Sequence, residues 1–272
     1  MNLSAYLSRV GFDATPRPDI ATLRALHRAH LEAIPYENLD VQLGAPTTPD
    51  PAAAFAKIVT RRRGGWCYEM NGVFGTALEA IGFKVTRLAG AVMREFAGDG
   101  QIGNHLVLIV DLDEPWLADV GFGDGLVEAV PLKDAAIRQS VFDFRLEDMR
   151  DGWWRLHNHA EGGARSFDFN LAVRDEARLA ERCAFLQTDP SSLFMRNGVI
   201  QRHGNGAMAM LVNKVLKRVT PAGVTREEIP DAGAYTRTLR EVFDLDAPEA
   251  ATLWPRIVER HDAMLAAQAA AG

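Results

Sequence analysis

Apolar residues recur three and four apart from Cys67 through Met70, Phe74, Ala77 and Leu78 to Ile81, and the run stops at Gly82. That spacing predicts an amphipathic helix closed by a glycine. A second helix is predicted over residues 19–34, with Asp19 as its N-cap and Pro35 ending it, and a third over residues 51–60. From residue 84 to about 169 the pattern shortens. Runs rich in branched and aromatic residues at 85–88, 104–111, 116–121 and 153–156 are separated by glycine-rich turns. These predict an antiparallel sheet curled into a barrel. Residues 207–219 fit either a strand pair or a helix, and residues 250–270 read as an alanine-rich terminal helix. No repeat or low-complexity linker interrupts the chain.

The strand at 104–111 and the return strand at 116–121 form a predicted hairpin with His105 at its mouth. Asp119 lies among Leu117, Ala118, Val120 and Phe122, where a carboxylate is costly to bury unless paired. An imidazole is its natural partner. Side chains alternate along a strand, so His105 and Asp119 share a face only with an odd turn or a bulge. An irregularity is therefore predicted near residues 112–115 or 120–121.

Cys67 adds a third group. It follows Arg61-Arg62-Arg63-Gly64-Gly65-Trp66 and opens the first helix described above. A helix N-terminus and three nearby arginines favour thiolate over thiol, which predicts a lowered pKa. Thiol, base and orienting acid together have the logic of Cys-His-Asp acyl transfer, with the Cys67 N–H as one oxyanion donor. Cys183 has no such setting and reads as core.

Composition narrows the class. A chain of 272 residues with 47% hydrophobic content suits one large or two to three small domains. A net charge of −6 argues against nucleic acid as the main partner. The N-terminus lacks a basic region followed by an apolar stretch, and no apolar run reaches the roughly 20 residues that span a bilayer. Two cysteines, one of them reactive, fit a reducing cytoplasm. His27 and His30 share a helix face but lack a third metal ligand, and His157 and His159 read as surface, so no metal is expected. Gly121-Phe122-Gly123-Asp124-Gly125 has no following helix and no Gly-Lys-Ser or Gly-Lys-Thr, which leaves it as backbone lining a cleft.

The blocks Arg63-Gly64-Gly65-Trp66-Cys67, Asn104-His105-Leu106-Val107-Leu108 and Asp119-Val120-Gly121-Phe122-Gly123 occur in that order. Ile34-Pro35-Tyr36-Glu37-Asn38-Leu39-Asp40-Val41 precedes them and Pro190-Ser191-Ser192-Leu193-Phe194 follows. Together they resemble the arylamine N-acetyltransferases over roughly residues 5–200, with little likeness beyond. The resemblance implies an α+β fold with a cysteine-protease-like core: a helical bundle over 1–84, an antiparallel β-barrel over 85–200 and an α/β lid over 201–272. It implies Cys67 as nucleophile, His105 as base and Asp119 as orienting acid, acetyl-CoA as donor, an arylamine or hydrazine as acceptor, and no metal. By the same resemblance Gly103, Asn104 and Gly123 meet the pantetheine end of CoA. Tyr36, Val92, Phe122 and Phe194 line the ring pocket, Arg63 supports the site, and Asn71 hydrogen-bonds Asp119. On charge alone, Arg202, Lys214, Lys217 and Arg218 are candidates for the CoA phosphates. Two other readings use the same residues: a Cys-His-Asp amide synthase or hydrolase acting on another acyl donor, and a non-catalytic redox-sensing thiol. A sensor needs no base, so the His105–Asp119 hairpin counts against the last.

Overall fold

The chain up to Ile81 is helical apart from one short strand: α1 (Leu3–Val10), α2 (Ile20–Ala33), β1 (Tyr36–Glu37), α3 (Leu39–Leu43), α4 (Pro51–Phe55) and α5 (Cys67–Ile81). The computed structural model describes residues 1–271; Gly272, the last residue of the expected lid, lies outside them. Polar side chains start these helices. Asn2, Asp19 and Asp50 accept hydrogen bonds from first-turn N–H groups of α1, α2 and α4, which have no partner within the helix. Residues 51–60 are helical as predicted, but Ala56–Thr60 winds as a looser π-type turn. Gly82 closes α5 in the left-handed conformation, φ 110°.

The middle of the chain adds β2 (Lys84–Val92), α6 (Arg94–Ala97), β3 (His105–Asp111), β4 (Pro115–Leu117), β5 (Val130–Pro131), β6 (Ala135–Gln139), β7 (Phe142–Asp148), β8 (Trp153–His157) and β9 (Ser166–Asn170). Its strands pair in the order β5-β4-β3-β2-β9-β8-β7-β6. The end strands β5 and β6 do not pair with each other, so the predicted barrel is an open, curled half-barrel.

After α7 (Glu176–Thr188) and α8 (Leu193–Arg196) come β10 (Val199–Gly204), β11 (Ala207–Val212), β12 (Val215–Thr220) and β13 (Gly223–Glu228), then α9 (Ala232–Phe243) and α10 (Trp254–Ala271). Residues 207–219 are thus a strand pair, Val212 opposite Val215. The second sheet runs β1-β10-β11-β12-β13, with Tyr36 of the N-terminal stretch opposite Gln201.

Helix α5 is the hub. Met70, Val73, Phe74, Ala77 and Leu78 are fully buried, in one cluster with Leu108 and Val110 of β3 and Tyr6, Leu23 and Leu26 of α1 and α2. Each large apolar side chain buried this way contributes about 1.5–3 kcal/mol, so the helix that begins at Cys67 is a fixed platform. Among the described residues no helix is long and apolar enough to cross a membrane.

Candidate active site

Cys67 is the first residue of α5, and the extended backbone of Trp66 (φ −94°, ψ −176°) turns the chain into the helix. The approach runs directly against β1. Gly65 N–H donates to the Pro35 carbonyl at 3.3 Å, and the Gly65 carbonyl accepts from Glu37 N–H at 2.9 Å. A Cβ on Gly64 would lie 2.2 Å from the Pro35 oxygen and 2.6 Å from Glu37 Cγ, and the first of these is backbone that cannot swing aside. Gly64→Ala is therefore expected to cost about 2–3 kcal/mol, the upper part of the range for overpacking. Urea denaturation reads this directly. A loss within about 0.5 kcal/mol, the scatter of ordinary surface substitutions, would show that the loop is not clamped.

A buried charge network supports the same loop. Lys57 Nζ lies 2.9 Å from Glu69 and 3.0 Å from Asp40, and Arg63 Nη2 lies 3.2 Å from both Glu37 and Asp40. Arg63 Nη1 reaches Glu249 at 3.0 Å. Glu69 also accepts from Trp66 N–H at 3.2 Å, which ties the network to the residue before Cys67. Burial pushes the Glu69 carboxyl up to about 7, against the pull of Lys57.

The thiol itself is 3% exposed. Its sulfur is bracketed by the main chain on either side of His105: Sγ donates to the Asn104 carbonyl at 3.8 Å, and the N–H groups of Leu106 and Tyr68 face it. The lowered pKa predicted from the three arginines does not follow from this geometry. Arg61 and Arg62 are exposed, Arg63 is spent on carboxylates, and burial pushes the Cys67 thiol well up. Nearby Cys183 and Asp119 add to the rise, and the two N–H groups oppose it.

His105 and Asp119 meet as the hairpin required. Asp111 pairs with Pro115 and Ile109 with Leu117, so the turn holds three residues, Leu112, Asp113 and Glu114. That odd count sets both side chains on one face, and His105 Nε2 lies 2.7 Å from Asp119 Oδ2. The return strand is shorter than predicted, ending at Leu117 instead of Gly121. Asp119 continues past it, where Asn71 of α5 takes over from the ladder. Asn71 Nδ2 donates to Asp119 Oδ1 at 3.0 Å and to the Leu106 carbonyl at 2.6 Å, and Asn71 Oδ1 accepts from Val120 N–H at 2.9 Å. Gly121 N–H donates to Asp119 Oδ1 at 2.8 Å. Burial opposes a charge on Asp119, but His105, Asn71 and the Gly121 N–H outweigh it and hold the carboxyl below its usual range. With Nε2 engaged, Nδ1 is the ring nitrogen left for chemistry.

The predicted lining divides into two groups. Tyr36 shares an apolar cluster with Cys67 and Trp66, and Phe194 stands edge-on to Trp66 at 5.4 Å. Val92 and Phe122 belong to the half-barrel cluster, where Phe122 lies 5.7 Å from the His105 ring. Asn104 clips the end of β2 by accepting from Val92 N–H at 2.7 Å and donating to the Val92 carbonyl at 3.2 Å. The Gly103 carbonyl accepts from Tyr68 OH at 2.7 Å, and Gly123 lies against Gln201 and Tyr36. Val92, Asn104 and Phe122 are half-buried, whereas Cys67, His105 and Asp119 are buried. The four candidate cations sit apart on the second sheet. Lys214, Lys217 and Arg218 pair with Glu228, Glu161 and Glu227, and Arg202 donates to the Glu32 carbonyl.

Several residues here carry no local sequence signal. Phe167 of β9 lies 4.9 Å from the His105 ring. His27, on the buried face of α2, places Nε2 at 3.0 Å from the Asp119 carbonyl and Nδ1 at 3.1 Å from that of Val127. His30 is equally buried, 2.9 Å from Tyr6 OH. His159, read as surface, is buried against Phe142 because β8 ends at His157 and the alternation stops there. Among the described residues no group of three or more His, Cys, Asp or Glu side chains is placed to hold a metal ion.

A thiol set against the main chain on either side of a histidine, whose imidazole a buried carboxylate holds, has the groups that acyl transfer uses. A family model described as N-acetyltransferase matches residues 19–252. The arylamine N-acetyltransferase / N-hydroxyarylamine O-acetyltransferase of Salmonella typhimurium is 33% identical over 248 residues, 89% of this chain and 88% of that one. The chain belongs to the arylamine N-acetyltransferase family. The Mycolicibacterium smegmatis arylamine N-acetyltransferase is 46% identical over 147 residues, spanning 52% of this chain and 54% of its relative. The fold agrees. The arylamine N-acetyltransferase of Mycobacterium marinum, solved in complex with CoA, superposes with a TM-score of 0.84 at 29% identity, covering 95% of this chain and 98% of that one. Cys67, His105 and Asp119 all fall within the region that the N-acetyltransferase model matches.

Proposed function

We propose that the protein moves the acetyl group of acetyl-CoA to the nitrogen of an arylamine or arylhydrazine through an acetyl-Cys67 intermediate. The observation that carries this is the 2.7 Å His105–Asp119 bond, set where the Cys67 sulfur touches the main chain of residues 104 and 106. The names of the relatives supply the acceptor class, and the CoA complex of the Mycobacterium marinum relative supplies the donor.

Burial alone keeps the thiol protonated, so the working nucleophile is an ion pair, Cys67 thiolate with His105 imidazolium, balanced by Asp119. The thiolate attacks the acetyl carbonyl of the donor. The oxyanion takes hydrogen bonds from main-chain N–H at the α5 terminus, that of Cys67 included. CoA leaves as a thiol with the proton from His105, and thioester exchange for thioester is close to level. The amine then attacks acetyl-Cys67, His105 Nδ1 takes the amine proton, and the Cys67 thiolate departs. The pantetheine arm passes Gly103, Asn104 and Gly123. The aromatic ring lies between Tyr36 and Phe194 on one side and Val92 and Phe122 on the other. Residues 1–84 bring the nucleophile, 85–200 the base and acid, and 201–272 cover the site from the second sheet. Two free cysteines suit action in the cytoplasm.

Intact-mass measurement after mixing with acetyl-CoA should show one added acetyl group, mapped to Cys67 and discharged by an arylamine. Initial rates with acetyl-CoA varied at fixed amine concentrations should give parallel double-reciprocal lines. Intersecting lines, or an unmodified Cys67, would exclude the covalent route.

A further inference from the structure

The second sheet has two faces with different chemistry. Gln201, opposite Tyr36, points toward the acetyl-transfer side, and Arg202 points away from it. Arg202, Ala209 and Arg218 stand in register across β10, β11 and β12, so their side chains share a face. This face also carries Ile200, Leu211 and Leu216 into the core with α9. At its edge is a cavity of about 450 Å³ with Ala209 between the two arginines, bordered by Glu32 of α2, Val242 of α9 and Thr220. Two strand spacings separate Arg202 from Arg218, about 10 Å between main chains, a gap that one phosphate bridges once Arg218 turns from Glu227 of β13.

Charge favours an anion there. Among the described residues no carboxylate pairs with Arg202; its Nε is used on the Glu32 carbonyl at 2.8 Å. Arg218 pairs with Glu227, but both side chains are open to solvent, 38% and 56% exposed, and such a pair is weak enough to yield to phosphate oxygens. Arg9 behind the cavity adds positive charge, while Arg62 pairs with Asp244. Burial and Arg62 hold Arg9 down to about 10, Asp244 opposes this, and Arg202 adds to the lowering. Glu32 is the one acid among the residues bordering the cavity. In a chain of net charge −6, this concave site is bordered by two arginines and one glutamate.

We propose that the Arg202–Arg218 cleft binds a phosphorylated small molecule, its phosphate held in a fork by the two guanidiniums on the sheet face turned away from Cys67. Arginine matches phosphate geometry with two parallel N–H donors. The phosphate has two possible sources: the phosphate end of CoA reaching round the sheet edge, or a separate phosphorylated metabolite. The site itself does not depend on the acetyl-transfer reading, because binding is measured on the resting protein.

Isothermal titration with inorganic pyrophosphate at low salt should show one binding site on the full chain. Arg202→Gln and Arg218→Gln should each weaken it about tenfold or more, the scale of a lost charge-assisted contact. Lys214→Gln, which removes the same charge elsewhere on the sheet, should leave it unchanged. If the same two arginine variants raise KM for acetyl-CoA with kcat unchanged, CoA supplies the phosphate. If KM is unchanged while pyrophosphate binding is lost, a separate metabolite does. Arg202→Gln also loses its Glu32 contact, so if it fails to fold, the exposed Arg218→Gln decides. No binding heat at millimolar pyrophosphate, or equal weakening by Lys214→Gln, overturns the proposal.

Discussion

Cys67→Ser should leave a folded protein whose turnover falls by about 10⁴-fold or more, the scale seen when a covalent nucleophile is removed. The substitution is small in volume, and the Asn104 carbonyl that meets the thiol can accept from a hydroxyl instead, so thermal unfolding should shift little. Chemistry is lost for two reasons. A serine hydroxyl is far less acidic than a thiol, and burial already disfavours charge at this position. An oxygen ester, if it formed, would also acylate a weakly nucleophilic arylamine poorly compared with a thioester. Steady-state assay with acetyl-CoA and an arylamine, together with a circular dichroism melt, separates the two effects. A folded Cys67→Ser protein that keeps even a tenth of wild-type turnover would rule out Cys67 as the nucleophile.

Asp119→Asn should be almost as damaging, lowering kcat by roughly 10³–10⁴-fold, as for the orienting acid of a hydrolytic triad. Asp119 Oδ1 accepts from Asn71 and from Gly121 N–H. An asparagine keeps its carbonyl oxygen toward those two donors, which turns its NH₂ toward His105 Nε2. Nε2 must then accept, the ring proton moves to Nδ1, and the nitrogen that should take the thiol proton is blocked. The pH dependence of stability follows the same residue. The Asp119 pKa is depressed in the folded protein, so its contribution is present above the ordinary aspartate range and is lost as pH falls through the folded value. Asp119→Asn should therefore be less stable than wild type near neutrality, with the gap closing in acid. Near-wild-type kcat, or a stability gap that does not change with pH, would remove Asp119 from the orienting role.

Much of the site is legible in the order of residues alone. Helix α5 is written in the spacing from Cys67 to Ile81, and its stop is Gly82. The hairpin constraint also follows from sequence. A carboxylate in an apolar strand needs a partner, and alternation then demands an odd turn, which the three residues after Asp111 provide. These features depend on near neighbours along the chain, where periodicity, capping and turn chemistry act directly.

Other features depend on segments far apart in sequence, and only the tertiary structure decides them. Arg63 lies four residues before Cys67, yet its guanidinium goes to Glu37, Asp40 and Glu249, so proximity along the chain does not show which groups that charge serves. His27 and His30 read only as a pair on one helix face without a third metal ligand, because a lone polar residue there does not reveal what covers it; here Val127, Asp119 and Tyr6 do. Residues 207–219 fit helix and strand equally because both faces of that pair are covered, Met208 and Met210 by the half-barrel cluster and Leu211 and Leu216 by the α9 core, which erases the polar alternation of a one-sided strand. The sequence by itself determined helix α5, the hairpin of β3 and β4, and the placing of Cys67, His105 and Asp119 on them, since residue type and local spacing carry that information. The tertiary structure decided what charge, burial and aromatic surroundings those side chains receive, because desolvation and packing are sums over every segment that folds against them.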